Sequence, residues 1–342
     1  IGSYDEKLYA IGATDIPPIA NAGSDQTVNE GDAMSFDASS SYDPDGTIES
    51  YEWDFESDGT YDYQETSTTA PDGAFDGITE HIYADNGVYT VTLKVTDNPG
   101  ENDTDTSTVT VNNLAPSITP FGPFTVNEGS PFTPSATCTD PGSDDLTLTW
   151  ELELGPAITR TFYNDGVGPD PNPSPWGNFP FTVSDSINHT YGDDGTYSVT
   201  LTVIDDDGDS ETYSTSVTVN NLSPSGGISG IYFGEEGSSI SFMASGTDQG
   251  SDDLTFSWNW GDGTPSTITS DALVTHEFNN ASTFTSLTYN VTLFATNDAE
   301  GCLDTESVSV EVLPTIIPNI LPSTLEGCAP LTVSFLNNTL GA

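Results

Sequence analysis

From Tyr197 the chain alternates strictly: Tyr197, Val199, Leu201 and Val203 fall on one face, and Ser198, Thr200 and Thr202 on the other. That is the period of a half-buried strand. Just before it, Asp193-Asp194-Gly195 provides capping side chains and a residue free to take positive φ, the chemistry of a tight turn. The stretch recurs from His81 to Asp97, with Tyr89, Val91, Leu93 and Val95 in phase, and again at His276 and Phe278 followed by Tyr289, Val291 and Leu293. Elsewhere short alternating runs rich in Val, Thr, Ile and Tyr are broken by Gly, Pro and Asp, with no helical period of useful length. The pattern predicts an all-β antiparallel sandwich.

A longer period lies over the short one. Pro18, Pro116, Pro224 and Pro314 stand 98, 108 and 90 residues apart. Each is followed by an acidic residue and glycine: Glu30-Gly31, Glu128-Gly129, Glu236-Gly237 and Glu326-Gly327. A small residue follows in the first three copies (Ala38, Ala136, Ala244) and then a tryptophan (Trp53, Trp150, Trp258). Self-similarity of this kind marks a tandem array. The boundaries expected are domains at 17–113, 114–221 and 222–313, a partial fourth unit at 314–342 with a strand at Leu331–Phe335, and at 1–16 the terminal strand of a preceding unit or an exchanged strand. The Asp-x-Gly-x-Tyr-x-Val order fits a tyrosine corner, with Ala136 and Val199 where an inter-sheet disulfide would stand and Trp150 as core tryptophan. Packing replaces the disulfide.

Here the chain resembles tandem PKD domains, the immunoglobulin-like modules of surface and secreted proteins. The signature Trp258-Asn259-Trp260-Gly261-Asp262-Gly263-Thr264 carries the likeness, with His189 to Asp205, His81 to Asp97, Asn21-Ala22-Gly23-Ser24-Asp25-Gln26 and Asp43-Pro44-Asp45-Gly46. It covers 17–342. Copy one departs from the signature at Trp53-Asp54-Phe55-Glu56 and copy two at Trp150-Glu151-Leu152-Glu153, so that turn is not a shared functional site. The resemblance implies immunoglobulin-like sandwiches in a rod, an extracellular setting, and calcium near the N-terminal end of a domain, where PKD domains of secreted proteases hold it.

Charge narrows the partners. Of 342 residues, 54 are acidic and 3 are Lys or Arg, a formal charge of −51. Nucleic acid and anionic membrane surfaces are excluded, because three scattered cations cannot displace phosphate counterions. Metal cations are what such a surface attracts, although much of the charge reads as solvation. No apolar run reaches membrane-span length, and Ile1 reads as an internal or processed start. Sequons at Asn102, Asn188, Asn221, Asn280, Asn290 and Asn337 are glycosylation candidates fitting an exported chain. Three cysteines, Cys138, Cys302 and Cys328, make no disulfide framework, and in a straight array Cys302 and Cys328 are too far apart to join.

Catalytic constellations are missing from the sequence. His81, His189 and His276 occupy one repeat position, which reads as a hydrogen bond at a strand corner, and no nucleophile elbow, Walker loop or His-Glu-x-x-His occurs. The candidate chemistry is calcium held by hard oxygens at the N-terminal end of each sandwich: Asp43, Asp45 and Asp97 in copy one, Asp140 and Asp205 in copy two, Asp248 and Asn297 in copy three. Copy two carries an insertion with Phe162, Tyr163, Trp176, Phe179 and Phe181, expected to fold back on its sheet rather than stack on sugars. The sequence therefore reads as a non-catalytic extracellular structural or adhesive protein, such as a stalk, surface-layer segment or filament subunit, possible partners being copies of itself or neighbouring surface proteins joined by strand addition. The alternative is the accessory region of a secreted hydrolase, binding polysaccharide or protein.

Overall fold

The computed structural model describes residues 15–166, 168, 178–280, 285–297, 303–315, 320–322 and 332–337. Among them every regular element is a strand. Copy one comprises β1 (Gln26–Asn29), β2 (Ala33–Asp37), β3 (Ile48–Asp54), β4 (Tyr63–Thr66), β5 (Ile78–Ile82), β6 (Gly87–Asp97) and β7 (Asn102–Asn112). One sheet has the order β1-β7-β6-β3-β4, and β2 pairs β5 in the other. The expectation of wholly antiparallel sheets needs one correction: β1 runs parallel to β7, with Gln26 opposite Val109. The chain first bridges Ile19 to Tyr42, then turns at Gly23 (φ 81°) and joins the five-stranded sheet in the direction of its last strand, β7.

Alternation along β6 buries Val91, Leu93 and Val95 completely against Trp53, Phe36 and Phe55. The Phe36 ring lies 5.4 Å from Trp53 and 4.9 Å from Phe55. Burial of these rings and branched chains, each worth about 1.5–3 kcal/mol, drives the two sheets together. The tyrosine corner is present in all three copies: Tyr89 donates to Asp85 O (2.9 Å), Tyr197 to Asp193 O (3.0 Å) and Tyr289 to Asn279 O (2.6 Å).

Contacts divide the chain into two compact units, Ile1–Gly122, Pro134–Ile187 and Ser198–Thr215 in the first, and Pro123–Thr133, Asn188–Tyr197 and Ser216–Ala342 in the second. Besides copy one, the first unit holds Ser135–Asp140 paired antiparallel with Phe181–Ser186, and Leu146–Leu152 between Ile158–Phe162 and the Val199–Ile204 segment. Trp150, Leu148, Leu201 and Val203 are fully buried there. Trp150 Nε1 donates to Asp185 Oδ2 at 3.0 Å, and Arg160 pairs with the same carboxylate. Ala136 and Val199 are both buried, and Cys138 is a buried free thiol. Cys302 and Cys328 lie outside the described residues.

The second unit repeats the parallel device, Phe124–Asn127 beside Val217–Asn220 and Phe233–Glu235 beside Glu311–Leu313. In copy three Ser225–Gly230, Ser239–Thr247 and Leu273–Glu277 form one sheet, and Leu287–Thr296 is central to the other. Between them Trp258 and Trp260 stack at 5.6 Å over Phe242 and Phe278. Beyond copy three, Ile320–Pro322 pairs with Phe335–Asn337, so the strand expected at Leu331–Phe335 begins only at its last residue. Alternation signals a strand, but the partner decides where pairing starts. Of the segment expected as a terminal strand at 1–16, residues 1–14 lie outside the described residues.

Candidate metal sites

Two joints, one in each unit, gather carboxylates that the repeat scatters along the chain. In the first unit the turn after β1 puts Glu30 and Gly31 at the end of copy one. Gly31, at φ 73°, donates its N–H to Tyr83 O at 2.9 Å. Glu30 is fully buried, and its Oε1 accepts the N–H of Leu114, two residues past the end of β7, at 2.7 Å. The loop 140–145 of copy two then docks by its backbone. Ser143 N–H donates to Ala84 O at 2.7 Å, and a Cβ on Gly31 would lie only 2.5 Å from Pro141 O.

This docking sets Asp140, Asp144 and Asp145 against Glu30 and Asp85. The nearest oxygens of Glu30, Asp85 and Asp144 all lie within 4.8 Å of one another, and so do those of Asp140, Asp144 and Asp205. All five residues are buried, Glu30, Asp140 and Asp144 at 0% exposure. Glu30 Oε2, Asp140 Oδ2, both oxygens of Asp144 and Asn113 Oδ1 accept no hydrogen bond from any described residue. Asp205 is held in place, Oδ1 accepting from Gly208 and Asp209 N–H and Oδ2 from Asn113 Nδ2 at 3.2 Å. Burial, with the neighbouring acids adding to it, pushes the Glu30 carboxyl up to about 8 and that of Asp140 up to about 7. Asp144 is raised by the same causes. Desolvated, mutually repelling oxygens without donors are the arrangement a hard cation satisfies, and carboxylate with amide oxygen is the donor set of calcium.

The second unit rebuilds the joint. Glu128 is fully buried, and its Oε1 accepts Leu222 N–H at 2.6 Å. Gly129 (φ 65°) donates to Tyr191 O, and its Cβ would fall 2.1 Å from Gln249 O. Glu128, Asp193 and Asp252 bring oxygens within 4.8 Å. Where copy two has Asp205, copy three has Asn297, and the difference is chemical. Its two Nδ2 hydrogens go to Asn221 Oδ1 (2.6 Å) and Leu222 O (2.9 Å), and Asp248 Oδ2 stands 3.4 Å from the same nitrogen.

The residues expected from the sequence thus come together in pairs: Asp140 with Asp205, and Asp248 with Asn297. At the N-terminal end of copy one, Asp43 and Asp97 each bury an Oδ2 that accepts no hydrogen bond from a described residue, and Asp45 Oδ1 accepts Ile16 N–H at 3.2 Å. Desolvation and the nearby Asp97, Asp45 and Asp43 raise the Asp15 carboxyl. Sequence reasoning missed Glu30, Asp85, Asp144, Glu128, Asp193 and Asp252. The signal was present in the Glu-Gly pair that marks every copy, which reads as a ruler from spacing alone and as a candidate ligand only once its burial is seen.

Other candidates resolve structurally. His276 stacks on Trp260 at 4.2 Å and meets Asp262 of the signature turn at 2.8 Å; His81 stacks on Phe55 at 4.2 Å beside Glu56. His189 meets Tyr191 edge-on at 4.5 Å. In the insertion Phe162, Phe179 and Phe181 are half-buried, Tyr163 is 41% exposed, and Trp176 lies outside the described residues. Among the sequons, Asn102, Asn188 and Asn290 are exposed and Asn221 half-buried. Asn280 is a correction: it is buried, and its amide hydrogens go to Thr285 O and Val312 O, so a glycan has no access in the folded domain. The side chain of Asn337 lies outside the described residues.

Fold and joints together define tandem immunoglobulin-like sandwiches with acidic seams. The chain belongs to the PKD domain family, whose model matches residues 15–111, 180–220 and 228–312. Similar solved structures include an ICAM-5 D1–D4 ectodomain fragment, at 13% identity over 90% of this chain and 80% of that one with a TM-score of 0.38. A tetra-tandem repeat in the extending region of a large adhesion protein matches at 15% identity over 86% and 74%, TM-score 0.36. Protein SGBP-B of the Bacteroides ovatus mixed-linkage glucan utilization locus, in complex with a mixed-linkage heptasaccharide, matches at 13% over 91% and 74%, TM-score 0.22. Among the described residues no helix is long and apolar enough to cross a membrane.

Proposed function

We propose that this chain is a non-catalytic structural or adhesive segment of an extracellular protein, built from PKD sandwiches whose joints calcium stiffens. The observation that carries the reading is the joint itself, made twice from the same parts. A buried glutamate caps an N–H two residues past the copy's last strand, and a left-handed glycine admits the next copy's acidic loop. Such construction fixes one sandwich on the next. A formal charge of −51 supports an extracellular setting, where calcium is plentiful and an anionic surface stays soluble. Partners on this reading are copies of the same chain or neighbouring surface proteins.

The test is electron microscopy of the protein as released from its cells, with and without a calcium chelator. Ordered filaments or a lattice that loosen on chelation are expected. Isolated molecules identical in both conditions overturn the reading.

A further inference from the structure

The two joints are not equivalent, and Asp144 shows why. It belongs to both carboxylate sets of the first joint, it is fully buried, and neither of its oxygens accepts a hydrogen bond from a described residue. Asp144 has two oxygens and is shared between two clusters, each with its own unsatisfied buried oxygen (Glu30 Oε2 in one, Asp140 Oδ2 in the other), so one oxygen is available to each.

Resting on the calcium reading above, we propose that the first joint holds two divalent cations bridged by Asp144, whereas the second holds one, the Asn297 amide taking the place of the other. Charge supports the count. The five carboxylates that form the two clusters of the first joint (Glu30, Asp85, Asp140, Asp144, Asp205) carry −5 when ionised, and two divalent cations leave −1. At the second, Glu128, Asp193 and Asp252 carry −3, and one cation leaves −1. Asp248 needs no cation there, because Gly250 N–H (2.7 Å) donates to one of its oxygens and the electropositive Asn297 amide nitrogen stands 3.4 Å from the other.

The joints also differ in how well they exclude water. Asp85 and Asp144 are buried in the first, while Asp193 is exposed and Asp252 only half-buried in the second. Fewer charges and more water weaken a calcium site by orders of magnitude across known sites, so the second joint binds at least about tenfold more weakly. As calcium falls, the second joint loosens first and the first stays locked, a graded response in one chain.

The experiment is native mass spectrometry of the full chain titrated with calcium, with counts taken as differences between variants so that any ion at the N-terminal end of copy one cancels. Asp144→Asn is expected to lower the saturated count by two and to remove the tightest steps. Asp252→Asn lowers it by one and removes a weak step, and Asn297→Asp raises it by one. Loss of a single ion in Asp144→Asn, or no gain in Asn297→Asp, overturns the two-to-one assignment. Asp144→Asn removes a buried acid crowded by other acids, so thermal unfolding in chelator should find it at least as stable as the parent, which separates ligand loss from misfolding. A parent chain that stiffens with calcium in small-angle scattering while Asp144→Asn loses one ion refutes this inference and leaves the proposed function standing. A parent that takes up no calcium refutes both.

Discussion

Three glycines in the same turn test whether the joints are built by close approach. Gly31, Gly129 and Gly237 have φ of 73°, 65° and 68° and follow a glutamate in each copy. Alanine at any of them pays the left-handed cost of about 1–2 kcal/mol. Beyond that they differ. The new Cβ lies 2.5 Å from Pro141 O at residue 31 and 2.1 Å from Gln249 O at residue 129, while at residue 237 no described atom lies within 4 Å. A carbon–oxygen contact relaxes at about 3.3 Å, so the docked loop must retreat by about 0.8 Å in the first case and about 1.2 Å in the second. Backbone blocks both moves, and metal shells tolerate only about 0.2 Å. Calcium titration by calorimetry alongside thermal unfolding should therefore find Gly237→Ala destabilised by about 1–2 kcal/mol and Gly31→Ala and Gly129→Ala by more, with calcium affinity at the matching joint falling about 10–100-fold only in the latter two. Equal loss of calcium binding in Gly237→Ala, or none in Gly31→Ala, refutes the argument.

Further outcomes follow from the buried acids and the core. Glu30 and Asp140 titrate near 4.5 and 3.8 when unfolded but at about 8 and about 7 when folded, so between those limits the folded chain holds more protons. In chelator, stability falls as pH rises from about 4 to about 8, by at most about 1.4 kcal/mol per unit for each group. Saturating calcium removes that loss, and calorimetry showing the chelated protein more stable at pH 8 than at pH 5 would contradict this. Replacing Asp185 by alanine strips the acceptor from buried Trp150 Nε1 and the partner from Arg160, at an expected cost of about 2–4 kcal/mol in denaturant melts. Burial pushes the Cys138 thiol up to about 12, so iodoacetamide should modify it only on unfolding, read by peptide mass spectrometry. Modification at the native labelling rate of a free thiol would show the core to be open.

Much of the fold was legible because it rests on local rules. Val91, Leu93 and Val95, and their counterparts Val199, Leu201 and Val203, alternate because one face of each strand is buried, and the tyrosine corner and left-handed glycines recur because a reversal needs them. The parallel placement of β1 beside β7 was not legible, since alternation marks a strand and says nothing of its neighbour's direction. Asp140 and Asp205 could be paired from the topology of one sandwich. Glu30, Asp85 and Asp144 could not, because their meeting requires the end of one sandwich to receive the loop of the next.

The sequence by itself determined the repeat, the sandwiches, their cores and the abundance of acid, all consequences of side-chain period and turn chemistry within about a hundred residues. Only the tertiary structure decided which few of the 54 acids lose their water and face one another. Burial is a property of the packed joint, and a carboxylate's chemistry is set by the water it has lost and the charges it meets.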